Sequence, residues 1–292
     1  MRSTVKPPTS ERTLARYVAA HARETGADVA RVRRLISFMA LAGALRQSLQ
    51  GDDAGPRFVI KGGVALELRL RDRARATRDL DVILNQDEGD PLDALEEALA
   101  VTYEGFTFRR KGEEFRMRNG AVRAKIQVSF RGREWGTVEV DIARREGEAE
   151  VDLLPAIPLL DQFGLAGPDE LECISLRHHV AQKFHAVTRP IPGGGANDRF
   201  RDLVDLLLMR QLVQDYAALR QACEEVFQRR ATHAWPPSIT APANWTEPFA
   251  RMAEETGLPI RDLETAVEEV ERFIADVVAT GTPSVAAPAQ AA

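Results

Sequence analysis

Apolar residues recur at helical spacing over residues 10–21 and again over 29–49, where Val32, Leu35, Ile36, Met39 and Ala42 form one stripe. Residues 57–60 read as a short strand running into Gly62-Gly63, and 64–70 as a helix. A strand is expected at 79–84. A helix follows at 91–100, with Asp90 as N-cap and Pro91 at its first position. Alternating positions then mark strands at 106–110, 114–117, 123–130 and 135–142, with turn signals at Lys111-Gly112, Asn119-Gly120 and Arg131-Gly132. From about Pro155 the pattern turns helical, with stripes over 171–187, 197–209, 216–229 and 263–278. Asp52 to Pro56 reads as a turn, Gly193 to Asn197 as a flexible loop, and Trp235-Pro236-Pro237 opens an irregular segment to about Trp245. The low-complexity tail after Thr280 is expected to be disordered.

The 292 residues allow one large or two moderate domains, and 44% hydrophobic with 28% charged residues is an ordinary globular balance. No apolar run is long enough to span a bilayer, and Met1 to Pro8 lacks the apolar stretch of a secretory signal, so a cytoplasmic protein is expected. Cys173 and Cys223, both expected in helices, read as buried reduced thiols. The net charge of −5 carries no global sign of nucleic-acid binding. Locally, however, nine Lys and Arg lie between Arg109 and Arg133 against only Glu113 and Glu114, a stretch suited to a polyanion or to a solvated strand face.

Candidate chemistry centres on Asp79-Leu80-Asp81. On a strand Asp79 and Asp81 share one face while Leu80 points to the other. Paired carboxylates repel unless a cation lies between them, and oxygen ligands of this kind suit Mg²⁺ with substrate phosphates. Gly62-Gly63, opening a helix after Lys61, offers backbone N–H groups and a positive dipole end to phosphate. Two-metal nucleotidyl transfer needs a third carboxylate, expected from Asp141 on a later strand, with Glu139 on the same face as fallback. Thus Mg²⁺, as two ions held by Asp79, Asp81 and Asp141, and an NTP substrate are expected. Arg75 and Arg78 are candidates to touch phosphate or the RNA backbone, with a plain surface arginine as the alternative at each.

A second constellation is C-terminal. Lys183 lies in an apolar helical setting, and Arg199, Asp202 and Asp205 follow at helical spacing. Asp202 or Asp205 is expected to anchor Lys183 and direct its ammonium toward the triphosphate; an ordinary Arg199–Asp202 helix pair is the plainer alternative. His178, His179 and His185 do not complete a zinc site, because adjacent helical histidines diverge and no cysteine or acid supplies the remaining ligands.

The run Lys61-Gly62-Gly63-Val64-Ala65-Leu66-Glu67-Leu68-Arg69 with Arg75-Ala76-Thr77-Arg78-Asp79-Leu80-Asp81 resembles the AbiEii/AbiGii toxin nucleotidyltransferases. Gln182-Lys183-Phe184-His185-Ala186 and residues 199–206 look like that family's C-terminal motifs, and the mycobacterial MenT branch, with its Trp235-Pro236-Pro237 segment, is more similar still. The resemblance implies an α+β fold: a DNA-polymerase-β-like nucleotidyltransferase domain with a mixed sheet, preceded by N-terminal helices (1–155), then a mainly helical domain (156–280). It implies a toxin that is paired with an antitoxin and adds nucleotides, typically pyrimidines, to the 3′ acceptor end of tRNA, blocking aminoacylation; separately, a monomer is expected. Asp79 and Asp81 match the metal pair, Lys183 the motif lysine and Asp205 the following acid. Thr77 falls where relatives carry a Ser or Thr that an antitoxin kinase phosphorylates. Where the wider superfamily often has Gly-Ser, this chain has Gly-Gly. The alternatives are nucleotidylation of a protein or small molecule, and an inactive RNA-binding member.

Overall fold

A computed structural model of the chain describes residues 5–48, 55–86, 89–117, 120–147, 150–190 and 199–280. The chain divides into two compact units, Met1–Ser175 and Leu176–Ala292. The first is built on an eight-stranded mixed sheet whose strands are β1 (Phe58–Lys61), β2 (Asp79–Leu84), β3 (Phe106–Arg110), β4 (Phe115–Arg116), β5 (Val122–Phe130), β6 (Arg133–Arg144), β7 (Val151–Pro155) and β8 (Glu170–Ile174). Their order is β3-β5-β6-β2-β1-β8-β7, with β4 beside β5. The β2/β6 and β1/β8 pairs are parallel and the other pairs antiparallel.

One face of this sheet is apolar and covered. Leu80 and Val82 of β2, Val140 and Ile142 of β6, and Ala124 and Ile126 of β5 join a single core with α2 (Val29–Gln47). That helix is nearly all apolar along its second half, as expected of a helix packed between a sheet and other helices. It is flanked by α1 (Glu11–Thr25) and α4 (Pro91–Leu99). Each has a side-chain cap: Ser10 accepts from Thr13 N, Asp28 from Arg31 N, and Asp90 from Leu92 N, with Pro91 following. Because side chains alternate, the residues between the core positions, including Asp79, Asp81, Glu139 and Asp141, lie on the opposite face. The short helix α3 (Gly62–Leu70) follows β1 directly.

The second unit is helical, comprising α6 (Leu176–Thr188), α7 (Phe200–Arg210), α8 (Tyr216–Arg230), α9 (Thr246–Glu255) and α10 (Leu263–Ala279). Phe184 of α6 meets Phe273 of α10 edge to face at 5.0 Å, and Trp235 packs against both Phe184 and Phe227.

The segment 151–174 departs from the helical expectation. It holds β7, the one-turn helix α5 (Leu159–Gln162) and β8, so the compact units separate after Ser175 rather than near the composition shift at residue 155. Leu171, Cys173 and Ile174 fit either period over so short a run, and pairing with β1 and β7 decides for a strand. Cys173 therefore lies on β8 and not in a helix; it and Cys223 are buried free thiols. Helix α9 was not anticipated within the stretch after Trp245. The Gly193–Asn197 loop, the Asn197-Asp198 cap, Asp52 to Ala54, Asn119 and the tail from residue 281 lie outside the described residues.

Candidate active site

Strand register brings the acidic residues together. Asp81 of β2 pairs directly with Asp141 of β6, and Asp79 with Glu139. Lys61, the last residue of β1, pairs with Asp81 from the other side. Parallel neighbours in register are separated by one strand spacing of about 4.8 Å and point the same way. Four carboxylates thus occupy one face at the carboxyl end of β1 and the amino end of β2, and Leu80 is fully buried on the other.

The Gly62-Gly63 turn closes on this row. Gly62 has φ of +60°, and a Cβ there would lie 2.0 Å from Asp81 Oδ2. A Cβ on Gly63 would lie 2.4 Å from Thr77 Oγ1. Both glycines are therefore required for the start of α3 to approach the carboxylate strand. Thr77 is only 3% exposed and donates its hydroxyl to Asp79 Oδ1 at 3.0 Å. A modifying enzyme would reach that hydroxyl only after the segment before β2 opens. Helix α2 holds the segment: Arg34 donates to Thr77 O at 3.2 Å, and Arg31 donates to Glu67 at 2.9 Å and to Ala74 O at 3.4 Å. Glu67 is 2% exposed. Burial pushes its pKa up, with Arg31 and then Arg75 and Arg34 opposing the shift. Arg78 is exposed.

Asp141 is engaged elsewhere. Arg123 on β5, its register partner, grips both oxygens, Nε to Oδ1 at 2.7 Å and Nη2 to Oδ2 at 2.6 Å. The hydrogen bond to Asp141 raises the arginine's pKa further. Among the described residues, no three His, Cys, Asp or Glu side chains are gathered closely enough to hold a metal ion. The pair Asp79 and Asp81 still fits a hard cation in donor chemistry, since Mg²⁺ takes one or two carboxylates and completes its shell with phosphate oxygens and water.

The basic stretch looks different once folded. Arg110 pairs with Glu96 and Glu114, Lys111 with Glu134, Arg116 with Asp90 and Glu114, and Lys125 with Glu139. Acids from other elements meet these cations, so the local excess of positive charge in the sequence overstates the field at the surface. Arg123 was visible only as one basic residue among nine; its alternation with buried Val122 and Ala124 is the signal that places it on the acidic face.

The second unit contains its own polar cluster. Lys183 Nζ lies 2.9 Å from Asp202 Oδ1 and 2.7 Å from Asp205 Oδ2, with Arg199 Nη1 2.9 Å from Asp202 Oδ2. Both acids anchor the lysine, and the Arg199–Asp202 pair forms as well. Two cations meet two anions, which balances a group whose Asp205 is completely buried. Burial works to raise the Asp202 pKa, but Lys183 and Arg199 outweigh it and hold the carboxyl below the usual value. His185 and His179 are buried on the same helix as Lys183.

A mixed sheet with Asp81 and Asp141 in register beside a glycine-opened helix, followed by a helical unit, is the α+β architecture of a nucleotidyltransferase. The chain belongs to the AbiEii family: the model for "Nucleotidyl transferase AbiEii toxin, Type IV TA system" matches residues 43–277. It is similar in structure to MenT4, a nucleotidyltransferase toxin from Mycobacterium tuberculosis H37Rv, at 19% identity and a TM-score of 0.53, over 94% of this chain and 99% of that one. The antibiotic-resistance factor ANT(2'')-Ia also aligns, at 15% identity and a TM-score of 0.38, over 67% of this chain and 94% of its own. No curated protein matches. As a type IV toxin the protein has an antitoxin as its counterpart, and its family's reaction uses an NTP and a divalent metal. Among the described residues no helix is long and apolar enough to cross a membrane.

Proposed function

We propose that this toxin is a Mg²⁺-dependent, cytoplasmic nucleotidyltransferase that adds nucleotides, with pyrimidines preferred, to the 3′ acceptor end of tRNA and thereby stops aminoacylation and translation. The observation that carries the reading is the register of β1, β2 and β6, which sets Lys61, Asp81 and Asp141 side by side next to the Gly62-Gly63 turn. Asp79 and Asp81 would hold Mg²⁺, with Asp141 as the further carboxylate of a two-ion site. Bound there, the cations supply charge neutralisation at the triphosphate and lower the pKa of the acceptor hydroxyl.

The remaining roles belong to the chain itself. Backbone N–H groups at the start of α3 receive phosphate oxygens, since the glycines leave no side chain in the way. Lys61 and Arg78 add positive charge beside them. Lys183, held by Asp202 and Asp205, is the second unit's candidate phosphate-binding cation. Asp141 accepts the proton of the attacking hydroxyl once Arg123 has released it. Thr77, bonded to Asp79, is where a kinase antitoxin would act: a phosphate there would compete with the triphosphate for metal and repel it.

Incubating the purified protein with total tRNA and each of four labelled NTPs tests the proposal. Label should enter tRNA with a pyrimidine nucleotide and Mg²⁺, and Asp79→Ala should abolish it. Labelling that persists in Asp79→Ala, or that appears in protein instead of RNA, would overturn the assignment.

A further inference from the structure

One row of side chains crosses five strands without a break. Phe115 of β4 pairs with Arg123 of β5, Arg123 with Asp141 of β6, Asp141 with Asp81 of β2, and Asp81 with Lys61 of β1. Register partners share a face, so the row runs from the proposed reaction centre to the sheet's β4 edge. Its outer end is Phe115, 65% exposed and the one exposed Phe, Tyr or Trp among the described residues. At about 4.8 Å per strand, Phe115 stands roughly 14 Å from Asp81.

An aromatic ring left in water forgoes roughly 1.5–3 kcal/mol of burial, and the surroundings of this one select what would cover it. Its neighbours on that face are Arg123, held by Asp141, and Lys125, paired with Glu139, not an apolar patch of the kind that protein partners bury. A lone exposed ring on a polar face, aligned with an active-site row, is the arrangement on which nucleic-acid bases stack.

We propose that Phe115 is the stacking platform for a base of the single-stranded 3′ end of the polynucleotide acceptor, within roughly four nucleotides of the reacting hydroxyl at a stacked rise near 3.4 Å. The proposal rests on the reading of the chain as a transferase to an RNA 3′ end and adds a residue that fixes where that end lies. A ring at this distance positions the acceptor without touching the NTP, so it acts on acceptor affinity and leaves the chemical step alone.

The test pairs binding with turnover. A short single-stranded RNA carrying a fluorescent adenine analogue near its 3′ end is titrated with wild type, Phe115→Ala and Phe115→Trp. Stacking should quench the analogue in wild type and Phe115→Trp. Phe115→Ala should lose the quench and bind about 5- to 100-fold more weakly, the scale of one base–aromatic stack. In nucleotide labelling, Phe115→Ala should raise KM for acceptor RNA by a similar factor, with kcat and the KM for NTP unchanged. Because the side chain is exposed, thermal melting should not move. An unquenched analogue with wild type, or equal RNA affinity in wild type and Phe115→Ala, would overturn the proposal. If wild type quenches but labels no RNA, the stacking site stands and the transferase reading fails. If wild type labels RNA and Phe115→Ala labels it with unchanged KM, the reverse holds.

Discussion

Gly62 and Asp81 occupy one space: a Cβ at residue 62 would fall 2.0 Å from Asp81 Oδ2. The φ of +60° at Gly62 independently excludes most side chains. The turn into α3 therefore exists because a carboxylate, not a methyl group, fills that position. Gly62→Ala should leave the helical circular dichroism intact yet displace Asp81, lowering nucleotide incorporation roughly 100-fold, the scale of a misplacement near 1 Å. Wild-type incorporation by the variant would detach the turn from catalysis.

Lys183 lies between two buried carboxylates. Its removal in Lys183→Ala strands them, and urea denaturation should show a loss of about 3–5 kcal/mol. Replacing the ion pair with Lys183→Met and Asp205→Leu together should recover much of that stability while nucleotide transfer stays absent. Recovery of transfer in the double variant would leave Lys183 a purely structural residue.

Arg123 and a metal ion compete for Asp141 if that carboxylate serves as a ligand. Arg123→Ala should then tighten Mn²⁺ binding roughly two- to fivefold, the worth of a partly exposed ion pair, in a paramagnetic-resonance titration without nucleotide. Unchanged or weaker binding would remove Asp141 from the metal site.

Histidine protonation should destabilise the second unit below neutrality. Thr188 donates its hydroxyl to Phe184 O, so it accepts from His233 Nε2; Thr232 then donates to His233 Nδ1 and accepts from His185 Nε2. Nδ1 of His185, left as an acceptor, faces Arg230 at 3.4 Å. Every group is satisfied with both rings neutral. Burial, then Arg230 and His233, lowers the His185 pKa from 6.5 to about 4. Between those values the unfolded chain binds the proton and the folded chain does not, so stability is full above pH 6.5 and declines as pH falls toward 4. Melting temperature should drop more steeply over that window in wild type than in His185→Gln; parallel profiles would contradict the bonding pattern.

Glu67 has the opposite sign. Its pKa lies above the ordinary 4.5 because burial outweighs Arg31. A raised carboxyl pKa means the folded state holds the proton more tightly, so stability falls as pH rises from 4.5 through the folded value. Glu67→Gln should melt higher than wild type at neutral pH, with the difference shrinking on acidification. A lower melting temperature at every pH would show that the Arg31 pair dominates.

The periodicity of the chain by itself determined β2, β3 and α8 nearly to the residue, because alternation and helical stripes are local consequences of backbone geometry. It also put Asp79 and Asp81 on one face, since that depends on strand form alone. Strands β7 and β8 were not legible: β7 has no buried position to mark a face, and Leu171, Cys173 and Ile174 of β8 suit either period and run straight into the helical stripe that follows, so partner strands made the choice. Tertiary structure alone decided that Asp141 stands beside Asp81 and that Arg123 holds it. It also decided that the basic stretch meets Glu96, Glu134 and Asp90. Charges and ligands act over a few ångströms, and which residues come that close is set by strand pairing between segments far apart in the chain.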